Sequence, residues 1–221
     1  MKKTFLCFSL LLITLSTYSQ NKIIDTPIIF SENREQLTLE YLDTHYGISQ
    51  KKPTIIPKII VLHWTNIPTL KKSYQAFYKE TLPNWRPDIK SASSLNVSTH
   101  FLVDRNGTIY RLMPETTMAR HVIGLNHCAI GIENVGGNKG NPLTQKQQEA
   151  NIWIVNYLAG KYAIEYVIGH YEYTNFENHS LWLEKDKGYR THKTDPGKKF
   201  LAAVKAATKQ YGFKPTPKKR K

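Results

Sequence analysis

The chain has 221 residues, 40% of them hydrophobic, enough for one sizeable core and too few for two full-size domains. Its formal charge of +14 favours polyanionic partners. Of its two cysteines, Cys7 lies in an N-terminal apolar run, so removal of that run leaves Cys128 alone and excludes an internal disulfide.

Met1-Lys2-Lys3, the apolar stretch 5–15 and the small-residue stretch Ser16-Thr17-Tyr18-Ser19 have the three-part form of a secretory signal peptide. The apolar stretch is too short for a membrane span. Residues 1–19 are therefore read as a leader cut before Gln20, an uncleaved anchor being the alternative, and the protein as exported, periplasmic or extracellular. Cys7 stands too early for a lipoprotein cleavage site. Losing Lys2 and Lys3 leaves a charge of +12. Outside the cytoplasm such a charge meets wall polymers, peptidoglycan carboxylates and anionic lipid rather than nucleic acid.

Residues 20–57 form a polar, aperiodic lead-in, extended or with a short helix around 35–46. The β-branched run 55–62 reads as a buried strand ending at His63. A helix follows around 70–78. Segments 97–103 and 108–112 flank Asp104-Arg105-Asn106-Gly107, where Asn-Gly supplies the positive φ angles of a tight hairpin. Residues 129–133 form another interior strand with Glu133 at its end. Thr144 and Gln147 make a capping-box pattern, and apolar residues recur at helical spacing from Ala150 to about Ala163. A short strand at 166–169 ends at His170, and 200–210 closes the domain as a helix. The mixture indicates an α/β sheet with helices packed on it. The tail 213–221, with four lysines, an arginine and two prolines, reads as disordered and solvated or wall- or membrane-associated.

Two histidines that each follow a short apolar strand, together with Asp195, could converge. Hydrolytic zinc is commonly held by three N and O donors with a fourth position kept open. Spacing alone argues this weakly, because a lone strand-end histidine is more often structural.

Five motifs in order strengthen it: Val61-Leu62-His63-Trp64-Thr65; Val97 to Val103 with Asp104-Arg105-Asn106-Gly107; Ala129-Ile130-Gly131-Ile132-Glu133; Ile168-Gly169-His170; and Lys193-Thr194-Asp195-Pro196-Gly197. Over about residues 58–205 the chain resembles the type-2 N-acetylmuramoyl-L-alanine amidases, a family that includes bacterial wall-recycling amidases, phage lysozyme-type amidases and animal peptidoglycan recognition proteins. The resemblance implies one domain over 58–212 with a mixed central β-sheet flanked by helices, and Zn2+ held by His63, His170 and Asp195. It implies hydrolysis of the amide between the lactyl group of N-acetylmuramic acid and L-alanine in peptidoglycan or muropeptides. Glu133 would take the proton of the attacking water and Lys193 would stabilise the oxyanion. Some relatives place a catalytic tyrosine where this chain has Thr99, which shifts that part to Glu133.

His121 matches a position the family places beside the substrate, a structural role being the other reading. Asn126 resembles a substrate-contacting asparagine, or is a plain turn residue. His100 is read as structural, and His45, His127, His179 and His192 as surface or loop residues. Cys128 is read as a buried small hydrophobe. Residues 171–192 form a longer loop than simpler relatives carry, which either shapes the cleft or packs on the domain through Phe176 and Trp182. The chain is expected to act as a monomer. A non-catalytic receptor of the same fold would lack a metal ligand, and a nucleic-acid-binding protein would need a recognition module that is not present. A glycosidase would need two carboxylates flanking a sugar bond.

Overall fold

Ile59, Ile60, Val61 and Leu62 have no solvent exposure, as expected of a strand covered on both faces. In the computed structural model, which describes residues 22–84 and 86–218, they belong to the strand on which the site is built. The expected leader lies outside the described residues. Among the described residues, no helix is long and apolar enough to cross a membrane.

The elements in chain order are β1 (Ile23–Asp25), α1 (Glu32–Tyr41) running into a π-helical turn (Leu42–Tyr46), β2 (Ile59–Trp64), α2 (Leu70–Tyr78) and α3 (Pro87–Lys90). There follow β3 (Phe101–Val103), β4 (Ile109–Arg111), β5 (Ala129–Asn134), α4 (Gln145–Lys161), β6 (Tyr166–Gly169), a 3₁₀ segment (His170–Phe176) and α5 (Lys198–Ala207). One six-stranded sheet has the order β1-β4-β3-β5-β2-β6. Only β3 and β4 pair antiparallel, so the sheet is mixed, as expected.

The β2 run predicted from residue 55 begins only at Ile59. Pro57 has no N–H to give a ladder, and Ile55 instead donates to the Thr116 carbonyl outside the sheet. In the hairpin turn, Gly107 alone has positive φ, 87°, so the reversal uses one left-handed residue rather than the two expected of Asn-Gly. The Thr144 hydroxyl accepts from the Gln147 backbone N–H while the Gln147 side chain accepts from the Thr144 N–H, and α4 starts where its capping box predicts.

Alternation along the strands divides the core. Ile60, Leu62, Ile130 and Ile132 face α4 and α5, packing on Ile154, Val155, Leu158, Leu201 and Val204. Ile59, Val61 and Ala129 face the other way, towards Tyr41, Leu42, Tyr46, Leu125, Tyr173 and Phe176. The lead-in is thus part of the domain: β1 extends the sheet in parallel with β4, and α1 supplies core residues. Segment 213–221, expected to be disordered, makes contacts at its start. Phe213 packs on the α4–α5 core, Lys214 pairs with Glu165 at 2.6 Å, and Thr216 accepts from Lys205 at 3.2 Å.

Candidate metal centre

Parallel strands that run side by side end side by side, and β5, β2 and β6 bring three side chains to one edge in this way. His63 and Glu133 are register partners near the ends of β2 and β5, and His170 directly follows Gly169, the last residue of β6 and the partner of Leu62. His63 shares the face of Val61, so the period-2 alternation that buries the valine turns the imidazole towards the loops. Asp195 arrives from the loop before α5, where its backbone carbonyl accepts from the Tyr171 N–H at 3.1 Å.

His63 Nδ1 lies 2.9 Å from His170 Nδ1 and 3.2 Å from Asp195 Oδ2, and His170 Nδ1 lies 2.9 Å from Asp195 Oδ2. All three residues are buried, and among the described residues theirs is the one His/Cys/Asp/Glu group able to hold an ion. Two nitrogens and an oxygen around a common point match the donor set of hydrolytic zinc. Bond lengths near 2.0–2.1 Å in a tetrahedron place donors about 3.3 Å apart, close to the spacing found. Burial lowers His170 to about 4, so its imidazole is neutral and able to ligate at neutral pH. Burial opposes the charge on Asp195, but the adjacent His170 and His63 outweigh it and hold the carboxyl below the usual range.

Glu133 stands beside this triad with Oε2 buried and without a hydrogen-bond partner. Burial raises its pKa to about 7; Asp195 adds to the rise, while His63, Lys193 and Arg86 oppose it. A carboxyl poised near neutrality, with a free oxygen, is suited to exchanging protons. Glu133, His170, Lys193 and Asp195 line one cleft of about 520 Å³, with Arg86 and Trp64 also on its walls.

The chain matches the family model described as N-acetylmuramoyl-L-alanine amidase over residues 50–198. It belongs to this family. Among curated relatives, the endolysin of Enterobacteria phage K11 is 31% identical over 88 residues, which cover 38% of this chain and 58% of the endolysin. The chain therefore spans somewhat over half the length of that relative. Among solved structures, the N-acetylmuramoyl-L-alanine amidase LysC from Clostridium intestinale URNW superposes with a TM-score of 0.51 at 21% identity, over 88% of this chain and 100% of LysC. The endolysin LysCS from the same organism gives 0.50 at 20% identity, over 87% and 97%. These structures share the fold.

Hydrogen bonds and burial define the setting of the other residues singled out in the sequence. Asn126 is 1% exposed: Oδ1 accepts from the backbone N–H of His121 and Val122, and Nδ2 donates to the Tyr46 hydroxyl, so its amide holds a turn, at a place where Asn126 and His121 both line the cleft. His121 has both ring nitrogens engaged inside the protein, with His63 Nε2 at 3.0 Å and the Ala129 carbonyl at 3.2 Å. His100 is structural, as expected: Nδ1 accepts from the Gly131 N–H and Nε2 meets the Thr117 carbonyl. Cys128 is buried, and burial pushes its thiol up to about 12.

His45, expected at the surface, is 3% exposed and bonds Glu184 at 2.8 Å and the Ala92 carbonyl at 3.0 Å. No local pattern marks it, because its partner lies 139 residues away. The long loop both packs on the domain and lines the cleft. Trp182 lies against Gly124 and under the Arg190 guanidinium, and Phe176 is in the core, while Tyr189, Thr191 and His192 reach the cleft.

Proposed function

We propose that this family member is a zinc-dependent N-acetylmuramoyl-L-alanine amidase. In this reading it cleaves the amide between the lactyl group of N-acetylmuramic acid and the L-alanine of peptidoglycan stem peptides, and acts after export. The observation that carries the reading is the convergence of His63 Nδ1, His170 Nδ1 and Asp195 Oδ2 beside Glu133, whose Oε2 is buried without a hydrogen-bond partner.

His63, His170 and Asp195 would hold the zinc ion, which when bound supplies Lewis acidity for the scissile carbonyl and for water. Glu133 Oε2 accepts the proton of the attacking water and hands it to the departing amine nitrogen, one carboxyl serving both transfers. Lys193 Nζ stabilises the negative charge that develops on the carbonyl oxygen. Arg86, Lys193 and His192 place positive or ionisable groups along the cleft, which suits the carboxylates of a stem peptide. The basic end of the chain, beyond the docked Phe213 and Lys214, supports association with anionic wall polymers.

Mass spectrometry of peptidoglycan digested with and without chelator tests the proposal. Free stem peptides beginning with L-alanine are expected, and their release should stop with chelator and return with added zinc. Cleavage at another bond would overturn the substrate assignment, and chelator-resistant release would overturn the role of the metal.

A further inference from the structure

We propose that His121 is a positioning residue that fixes the tautomer and ring orientation of His63, an inference that rests on reading His63, His170 and Asp195 as a metal site. His63 turns Nδ1 towards both other ligands, so Nδ1 is the atom it offers a metal. A neutral imidazole that ligates through Nδ1 carries its proton on Nε2. That Nε2 lies 3.0 Å from His121 Nδ1, and His121 Nε2 lies 3.2 Å from the Ala129 carbonyl oxygen.

The carbonyl oxygen sets the direction of the chain, because it can only accept. His121 must carry its proton on Nε2 to bond it, which leaves Nδ1 as an acceptor for the His63 Nε2–H. The lone pair of His63 Nδ1 is then left facing the metal position. With the opposite polarity, His121 Nε2 would turn a lone pair on the Ala129 carbonyl, and the His63 proton would sit on Nδ1 among its fellow ligands. A backbone carbonyl at the start of β5 thus determines which nitrogen of His63 is free, through one intervening ring.

His121 is itself held. Gly131 leaves room for the ring, since a Cβ there would come within 2.9 Å of His121 Cγ and Nδ1. The His100 ring packs edge-on at 5.8 Å between centroids. Asn126 Oδ1 accepts from the His121 N–H at 2.9 Å, and Asn126 Nδ2 donates to the Tyr46 hydroxyl at 2.9 Å, which links this support to the turn after α1. With both ring nitrogens committed in this way, His121 has no polar ring atom left for the substrate.

The test is zinc affinity, measured by competition with a chelator of known affinity on the full chain, together with the rise in Tm that zinc produces. His121→Leu fills similar space but accepts no hydrogen bond, and should weaken zinc binding about 10–100-fold. His121→Asn places a carbonyl oxygen near the Nδ1 position and should recover most of that loss. Metal-free Tm values report separately on folding. Zinc affinity equal to wild type in His121→Leu, or equal losses in both variants, would overturn the inference while leaving the metal site intact. Failure of the wild-type protein to bind zinc would overturn the metal reading and this inference together.

Discussion

Replacing Glu133 with glutamine separates the stability effect of the buried carboxyl from its role in chemistry. Burial holds Glu133 near 7 against an ordinary value of 4.5, so the folded protein keeps a proton there that the unfolded chain has released. A carboxylic acid raised on folding contributes stability that is complete below its unfolded value and is lost as the pH rises through the folded one. At about 1.36 kcal/mol per pH unit, that loss amounts to at most about 3 kcal/mol, with cleft water reducing it. Metal-free Glu133→Gln, which has no charge to bury, should therefore be more stable than the wild type at pH 8 by up to about 3 kcal/mol. The margin should shrink by that amount at pH 4. Thermal or urea unfolding in chelator at the two pH values measures it, and about 2–4 °C in Tm is expected per kcal/mol for a domain of this size. With zinc bound, the cation partners the carboxylate and the margin at pH 8 should narrow. Turnover should fall about 10²–10⁴-fold in the same variant with zinc still bound. A stability difference that does not change with pH would refute the burial argument, and retained turnover would refute the proton-transfer role.

Lys193→Ala should lower kcat by about 10²–10³, the loss typical of removing one oxyanion-stabilising donor, with zinc content unchanged by metal analysis. Glu184→Ala breaks a buried pair with His45 and should cost about 3–5 kcal/mol in urea unfolding. Although burial opposes it, the bond to Glu184 raises the His45 pKa above 6.5. The stability this pair adds should thus be complete below the pKa of an unfolded histidine and be lost as the pH rises through the folded value, so the cost of Glu184→Ala should shrink at alkaline pH. Thr144→Ala removes the cap of α4 and should cost about 1 kcal/mol with no effect on zinc binding, both read on the purified protein.

Sequence by itself determined the features whose cause is local or carried in an ordered motif. The β-branched run at Ile59 to Leu62 has to be covered on both faces, the Thr144 and Gln147 pair starts a helix wherever it is placed, and Gly107 turns a hairpin. The five motifs brought His63, His170, Asp195 and Glu133 together through family resemblance, not through spacing. Tertiary structure alone decided the rest, since it depends on which elements meet. Three residues at Ile23–Asp25 become a strand only because Ile109–Arg111 offers them an edge to pair with. His45 is buried only because Glu184 returns from the long loop to meet it. Asn126 and His121 share the polarity of substrate-binding residues, and nothing local reports that their polar atoms are taken up by Tyr46, Ala129 and His63. Periodicity records how one element faces the core, whereas a hydrogen bond across the fold depends on the position of a partner that no neighbouring residue encodes.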